Sequence, residues 1–393
     1  MQTNPENAVL FDERQLGPYP DHLLKRTDSP TVAIPGPIQR RSQTENAAVR
    51  VRRGDCGAEA AEKAAGFLYR YPLGLAIGEV RSRMMSTAMP TGGNPSASPP
   101  DGRALPKFEI PEDPLALSRN IKALGYFLGA DAAGICEVPS WGYYIDDGEG
   151  RPNRKEWRNA IVFLKRNDPT TTLATNGRDW IVDATAQRTY LHLTMITEIV
   201  TSYIRILGGE AESDNLRNNK TMMPSLIIAA GLGEASRMGI ALNPFFGADF
   251  KASAVLTDMP LLPDKPIDFG LQEYCGRCGI CARHCVGNAL SHGEKQMYNG
   301  YEKWIVDADR CFYSTALLEG GTNCFVCIMM CPWTRPNTLP GDFESWDGSV
   351  ETLIAAVDAR AAELRNNGFV RQDAPGSKWW LGLSDKPEFK DIY

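Results

Sequence analysis

Eight of the chain's ten cysteines lie between Cys275 and Cys331, in two spaced runs. The first is Cys275, Cys278, Cys281 and Cys285, spaced C-x2-C-x2-C-x3-C. The second starts at Cys311 and, after twelve intervening residues, resumes with Cys324, Cys327 and Cys331, followed by Pro332. Eight thiolates are the count for two 4Fe–4S clusters with four ligands each. Three cysteines two residues apart curl round one cubane, while the fourth, three residues on, turns away and ligates the other. The spacing therefore predicts Cys275, Cys278, Cys281 and Cys331 on one cluster, and Cys285, Cys311, Cys324 and Cys327 on the other. Val286 stands where a bacterial ferredoxin run ends in proline, a residue that shapes the turn without being a ligand. Two tetrahedral zinc sites are the competing use of eight cysteines, but zinc ligands come mostly as separated pairs. Clustering in one segment of a long chain argues against a disulfide scaffold.

The segment ahead of Cys275 is far longer than an electron carrier needs. The clusters are therefore expected to feed a site built by that larger part. The chain has 393 residues, 43% apolar and 23% charged, an ordinary globular balance with room for more than one core. Its net charge of -6 argues against a phosphate-binding role, so no nucleic-acid partner is expected. No apolar run is long enough for a membrane helix. Arg40-Arg41 could open a twin-arginine export signal, but the polar Ser42-Gln43-Thr44-Glu45-Asn46 follows instead of an apolar stretch. A solvated arm and a cytoplasmic protein are the expectation.

The elements that must hold such a site are legible in part. Residues 1–60, rich in Pro, Arg and polar side chains, are expected to wrap the surface or to be partly disordered, with a short helix over 58–69 and a linker over 86–106. Asp113 ahead of Pro114 predicts a helix start, with Leu117, Ile121, Leu124 and Leu128 at helical spacing up to Gly129. Residues 132–138, 160–164 and 253–257 read as strands. The strongest helix is 184–207, where Tyr190, Ile196, Ile199, Val200, Tyr203 and Leu207 recur before Gly208-Gly209. Another begins near Pro224 and breaks at Gly231 and Gly233. A last helix over 350–367 carries Leu353, Ile354, Val357, Ala361 and Leu364 on one face. Helices alternating with strands indicate an α/β or α+β core.

Three stretches carry a family resemblance. The run Val255-Leu256-Thr257-Asp258-Met259-Pro260-Leu261-Leu262-Pro263-Asp264-Lys265-Pro266-Ile267-Asp268-Phe269-Gly270 resembles the lead-in to the clusters of cobalamin-dependent reductive dehalogenases. Tyr203-Ile204-Arg205-Ile206-Leu207-Gly208-Gly209 is similar to their "IRxLGY" helix end, with Gly209 in place of Tyr. Ala230-Gly231-Leu232-Gly233-Glu234 and Arg237-Met238-Gly239 resemble "AGLGExxRxG". The resemblance spans roughly 110–340, and residues 1–100 carry no visible part of it.

The resemblance implies an α+β, nitroreductase-like corrinoid-binding core with a ferredoxin-like two-cluster module. The implied division is 1–106 as extension and linker, 107–269 as corrinoid-binding core, 270–340 as cluster module and 341–393 as a segment packing on the core. It implies a base-off cobalamin, reduced to Co(I) by two 4Fe–4S clusters, that replaces carbon–halogen with carbon–hydrogen on an organohalide. An external donor (ferredoxin, flavodoxin or a reductase) supplies the electrons. Tyr190 matches the family's proton donor. Asn218 matches a neighbouring polar residue, with Asn219 one register away and Lys220 an alternative. Lys251 stands where the family has arginine, losing the guanidinium fork. Arg237 is a second basic candidate, with an ion pair to Glu234 as its structural reading. His284 and His292 are read as structural or solvent-exposed. Trp141, Tyr143, Tyr144, Trp333, Trp379 and Trp380 could line the pocket or simply pack. The competing functions are an epoxyqueuosine reductase-like enzyme acting on tRNA, and a non-catalytic electron carrier or cobalamin-binding protein.

Overall fold

A computed structural model describes residues 16–66, 76–77, 80–81, 84, 112–147, 150–153, 155–172, 175, 177, 181–216, 219–317, 324–334 and 348–367. The linker expected over 86–106, together with Trp379 and Trp380, lies outside the described residues.

A four-stranded antiparallel sheet forms the centre. Its strands are β2 (Ala132–Glu137), β3 (Asn159–Arg166), β4 (Ala211–Asp214) and β7 (Phe250–Thr257), in the order β2-β3-β7-β4. The apolar run of β3 is buried on both faces because helices cover both. Ala160, Val162 and Leu164 face a helix over Met223–Ala229, with Leu226, Ile227 and Ala230 in the same core. Ile161 and Phe163 face the opposite layer, made of α3 (Pro114–Phe127) and α4 (Ile181–Ile206), whose Leu117, Ile121, Leu193, Ile196 and Val200 share that core. Alternation along a strand thus feeds two cores from one sheet. The expected α+β class holds. Asp113 caps α3 by accepting from the Leu115 amide at 2.9 Å, and Pro114 sits in the first turn.

The cysteine-bearing segment packs beyond one end of β7. Short helices over Leu271–Cys278, Ile280–Arg283 and Val326–Met329 surround a separate apolar cluster containing Phe269, Tyr274, Ile280, Met329 and Trp333. The C-terminal helix, Val350–Asn367, lays Leu353, Val357 and Ala361 onto this same cluster. Arg277 forks onto Asp358 at 3.0 and 2.9 Å. The cluster that this helix joins also holds Val182, Ala186, Leu242 and Ala248.

Within residues 16–66 the N-terminal segment is held to the rest of the chain by specific anchors. Strand β1 (Lys25–Arg26) pairs antiparallel with β8 (Ile267–Asp268), just ahead of the first cysteine. Arg26 also donates to the Lys265 and Gly231 carbonyls. Gly231 has a φ of +67°, and a Cβ there would lie 2.2 Å from the Arg26 guanidinium, so the position needs glycine. A helix over Ala47–Arg53 packs Val51 against Phe312, and Arg50 reaches Asp309 at 2.7 Å. The lead-in stretch is pinned as well. Asp264 accepts from Lys122 at 2.9 Å and from the Ile135 amide at 2.8 Å.

Candidate functional site

The structure sorts the eight cysteines into two groups, and the groups cross the sequence runs. Cys275, Cys278, Cys281 and Cys331 line one small cavity with Arg237, Tyr274 and Trp333. Cys285, Cys311, Cys324 and Cys327 line a second, larger cavity. All are free thiols. Burial pushes Cys275 up to about 12 and Cys281 to about 11, and Cys327 and Cys331 are raised well above their ordinary value by the same cause. Buried thiols held neutral in this way need the charge of a metal to become thiolates.

Among the described residues, no group of three or more His, Cys, Asp or Glu side chains is placed to hold a single metal ion. Each cysteine set instead rings a void, and a cubane needs four thiolates around a cage rather than around one ion. The Trp333 indole nitrogen is buried beside the first set with no acceptor among the described residues, a donor that a cluster sulfur would satisfy. The donor chemistry fits two iron–sulfur clusters.

The larger cavity measures about 420 Å³, within the range of small-molecule and cofactor sites. Its walls are mainly apolar, with Met223, Ile227, Met238, Phe250, Val286 and Phe325 among them. Val286, in the place of a ferredoxin proline, is therefore part of this cavity's wall. Tyr190 from α4 and Lys251 from β7 also line it. They meet because Lys251 lies on the face of β7 covered by α4. The Lys251 ammonium is 5.6 Å from the Tyr190 ring centre and 4.4 Å from that of Phe325. Burial lowers Lys251 to about 8, while Asp249, Asp183 and Cys327 oppose the shift. Burial raises Tyr190 above its ordinary value, keeping the phenol protonated, and Arg81 opposes this. Arg81 is 2% exposed and stands 5.8 Å over the Tyr190 ring. Sequence reasoning missed it, because its segment shows no periodicity and the contact crosses more than a hundred residues of chain.

The other candidates divide. Asn219 lines the cavity, and its carbonyl accepts from the Gln43 amide. Asn218 lies outside the described residues. Lys220 is held by Glu212, and its backbone amide donates to Asp214 at 2.9 Å, which turns it away from the site. Asp214 is fully buried and pushed up to about 7, by burial first and against bonds from Thr221 and the Lys220 amide. Arg237 is not with Tyr190 and Lys251. It lies at the first cysteine set and donates to the carbonyls of Cys275, Gly276, Ser291 and Gly293 at 2.8 to 3.2 Å. Nor does it pair with Glu234, which accepts from Thr31 and the Phe269 amide. Trp333 packs edge-on to Phe269 and Tyr274 beside that set, and Tyr143 is buried against Trp157, so neither lines the larger cavity. His292 approaches Asn288 at 3.2 Å.

No protein-family model matches the chain. The tetrachloroethene reductive dehalogenase of Sulfurospirillum multivorans is 34% identical over 271 residues, 60% of this chain and 53% of that protein. A solved structure of the catabolic reductive dehalogenase NpRdhA in complex with 3-bromo-4-hydroxybenzoic acid superposes with a TM-score of 0.77 at 34% identity, over 90% of this chain and 49% of that one. A solved reductive dehalogenase described as acting by B12-dependent dehalogenation gives a TM-score of 0.75 at 33% identity with the same coverage. The epoxyqueuosine reductase of Yersinia pestis is 32% identical over 128 residues, 29% of this chain and 28% of that protein. The chain thus spans about half the length of the first relatives it matches. The 90% share exceeds what residues 107–393 alone could supply. Part of the N-terminal segment, where the sequence showed no resemblance, is therefore matched in structure.

Proposed function

The chain is a homologue of the reductive dehalogenases, and from that footing we propose that it replaces carbon–halogen with carbon–hydrogen on an organohalide. The observation that carries the reading is one cavity uniting Tyr190, Lys251 and all four cysteines of the second set. The reaction consumes two electrons and one proton and releases a halide. The cofactors proposed are a base-off cobalamin and two 4Fe–4S clusters, in a nitroreductase-like core joined to a ferredoxin-like module. The external donor is a ferredoxin, flavodoxin or reductase, the setting is cytoplasmic, and no nucleic acid takes part.

A corrinoid bound in this cavity would supply the low-potential electrons that cleave the carbon–halogen bond. The chain's residues supply the rest. The second cysteine set lines the same cavity, so electrons held there need cross no further protein layer. Tyr190, protonated and flanked by cations, gives its proton to the carbon as the halide leaves, and Lys251 stabilises the phenolate that remains. Apolar walls exclude water and with it competing protonation. Asn219, a polar residue on that wall, orients the substrate.

Anaerobic reconstitution with iron, sulfide and cobalamin, followed by a halide-release screen over aromatic, alkenyl and alkyl halides, tests the proposal. About eight irons and one corrinoid per chain with halide release are expected. Full iron without corrinoid uptake would overturn it, and corrinoid uptake without release from any halide would leave a binding protein.

A further inference from the structure

Arg237 has no place in the dehalogenation site, yet it is 3% exposed and makes five hydrogen bonds through its guanidinium. Two go to the Cys275 carbonyl at 3.1 and 3.0 Å, one to Gly276 at 3.2 Å, and the others to Ser291 at 3.0 Å and Gly293 at 2.8 Å. Every acceptor is a neutral carbonyl. Among the described residues no carboxylate lies within ion-pairing distance of it, and Glu234, three residues earlier, is turned to Thr31 and the Phe269 amide. Trp304, itself 3% exposed, covers the guanidinium with its ring centre 4.8 Å away. A full positive charge is therefore fixed and shielded in the wall of the small cavity that Cys275, Cys278, Cys281 and Cys331 surround. The backbone of the same residue bonds the Cys275 sulfur, and its charge acts on both Cys275 and Cys281.

We infer that Arg237 is a positioning residue whose buried charge sets the reduction potential of the first cluster, holding it above the value that the four thiolates alone would give. Reduction adds one negative charge to a cage already surrounded by anionic ligands. An unpaired cation a few ångströms away, in a water-poor wall, favours the reduced form. The five carbonyl bonds explain the choice of arginine. A planar fork spans the helix end at Cys275 and the loop at 291–293 in one step, which an ammonium cannot do. The inference rests on the two-cluster reading above.

The test is redox titration followed by electron paramagnetic resonance on reconstituted wild type, Arg237→Gln and Arg237→Lys, each with iron quantified. In Arg237→Gln one cluster is expected to become about tenfold harder to reduce, a shift of about 59 mV for one electron. The other cluster stays in place, and Arg237→Lys recovers most of the shift. An unshifted potential in a fully loaded Arg237→Gln overturns the inference. So does an equal shift in both variants, which would mark loop distortion instead of charge, or loss of four irons from both, which would make Arg237 a scaffold for assembly. A wild-type chain that takes up no iron would sink the two-cluster reading itself.

Discussion

The thiols of Cys275, Cys278, Cys281 and Cys331 and those of Cys285, Cys311, Cys324 and Cys327 come from the same two runs of sequence, yet their surroundings are opposite. The first set is closed in by Tyr274, Trp333 and the Arg237 guanidinium around a void with little free space. The second opens on the large cavity, shares it with Tyr190, and feels the Lys251 ammonium across Phe325. Spacing fixes how many cysteines each set receives. Burial, fixed charge and access then separate what each set can do. On the proposed two-cluster reading, the closed set with an immobile cation suits holding an electron, and the open one beside Tyr190 suits passing it on.

The sharpest way to break this comparison is Cys285→Ser. Cys285 belongs to the first run in sequence but to the second set in space. The expected result is loss of about half the iron, retention of the first cluster's resonance signal, and turnover too low to detect. Loss of the first cluster's signal instead would mean that the runs do not cross.

Tyr190→Phe comes next. Both metal centres should load normally while halide release falls about a hundred- to ten-thousand-fold. Normal turnover would remove the proton-donor role and leave the second set with a cavity but no chemistry beside it.

Gly177→Ala should act on the second set alone. Gly177 has a φ of +89°, its carbonyl accepts from the Phe325 amide at 2.8 Å, and a Cβ would stand 2.6 Å from the Val326 nitrogen. Strain of about 1–3 kcal/mol and a displaced Phe325 should lower the thermal midpoint and turnover several-fold, with the first cluster unaffected. A variant whose two clusters weaken equally would show that the sets are mechanically joined.

The smallest effect concerns the loop that presents Asn219. Asp214 is pushed up to about 7 by burial, beside Glu212, and in the unfolded chain its carboxyl lies near 4. Between those values the folded chain keeps a proton that the unfolded chain releases. This contribution to stability is therefore full below about pH 4 and is lost as pH rises through about 7. Thermal melts of Asp214→Asn across that window should show a flatter slope than wild type, and an unchanged slope would place the titration elsewhere.

What the sequence made legible followed from local rules. The crossing of the cysteine runs came from spacing, the α3 start from Asp113 and Pro114, and the long helix from the recurrence through Ile196 and Val200, although it begins earlier, at Ile181. Strand β4 was invisible because Ala-Glu-Ser-Asp has no alternation. It exists as an edge strand paired antiparallel to β7 and packed through Ala211 into the core under the long helix. Arg237 was misplaced because its partners are main-chain carbonyls 38 to 56 residues away, which leave no trace in side-chain pattern. Arg81 was missed for the same reason, since a cation over a ring has no spacing rule.

Strand β1 is synthesised long before its mate: Lys25 and Asp268 are 243 residues apart. At ordinary translation rates that interval is on the order of ten to fifty seconds. The pairing closes just ahead of the first cysteine, and contacts of such high order form late in folding. Until then the strand edge is open and the cysteine segment lacks its brace. The cysteine segment is therefore braced only after residues 267–268 have been made. A substitution at Arg26, which touches no metal ligand, should reveal itself as slower maturation more than as a weaker finished protein.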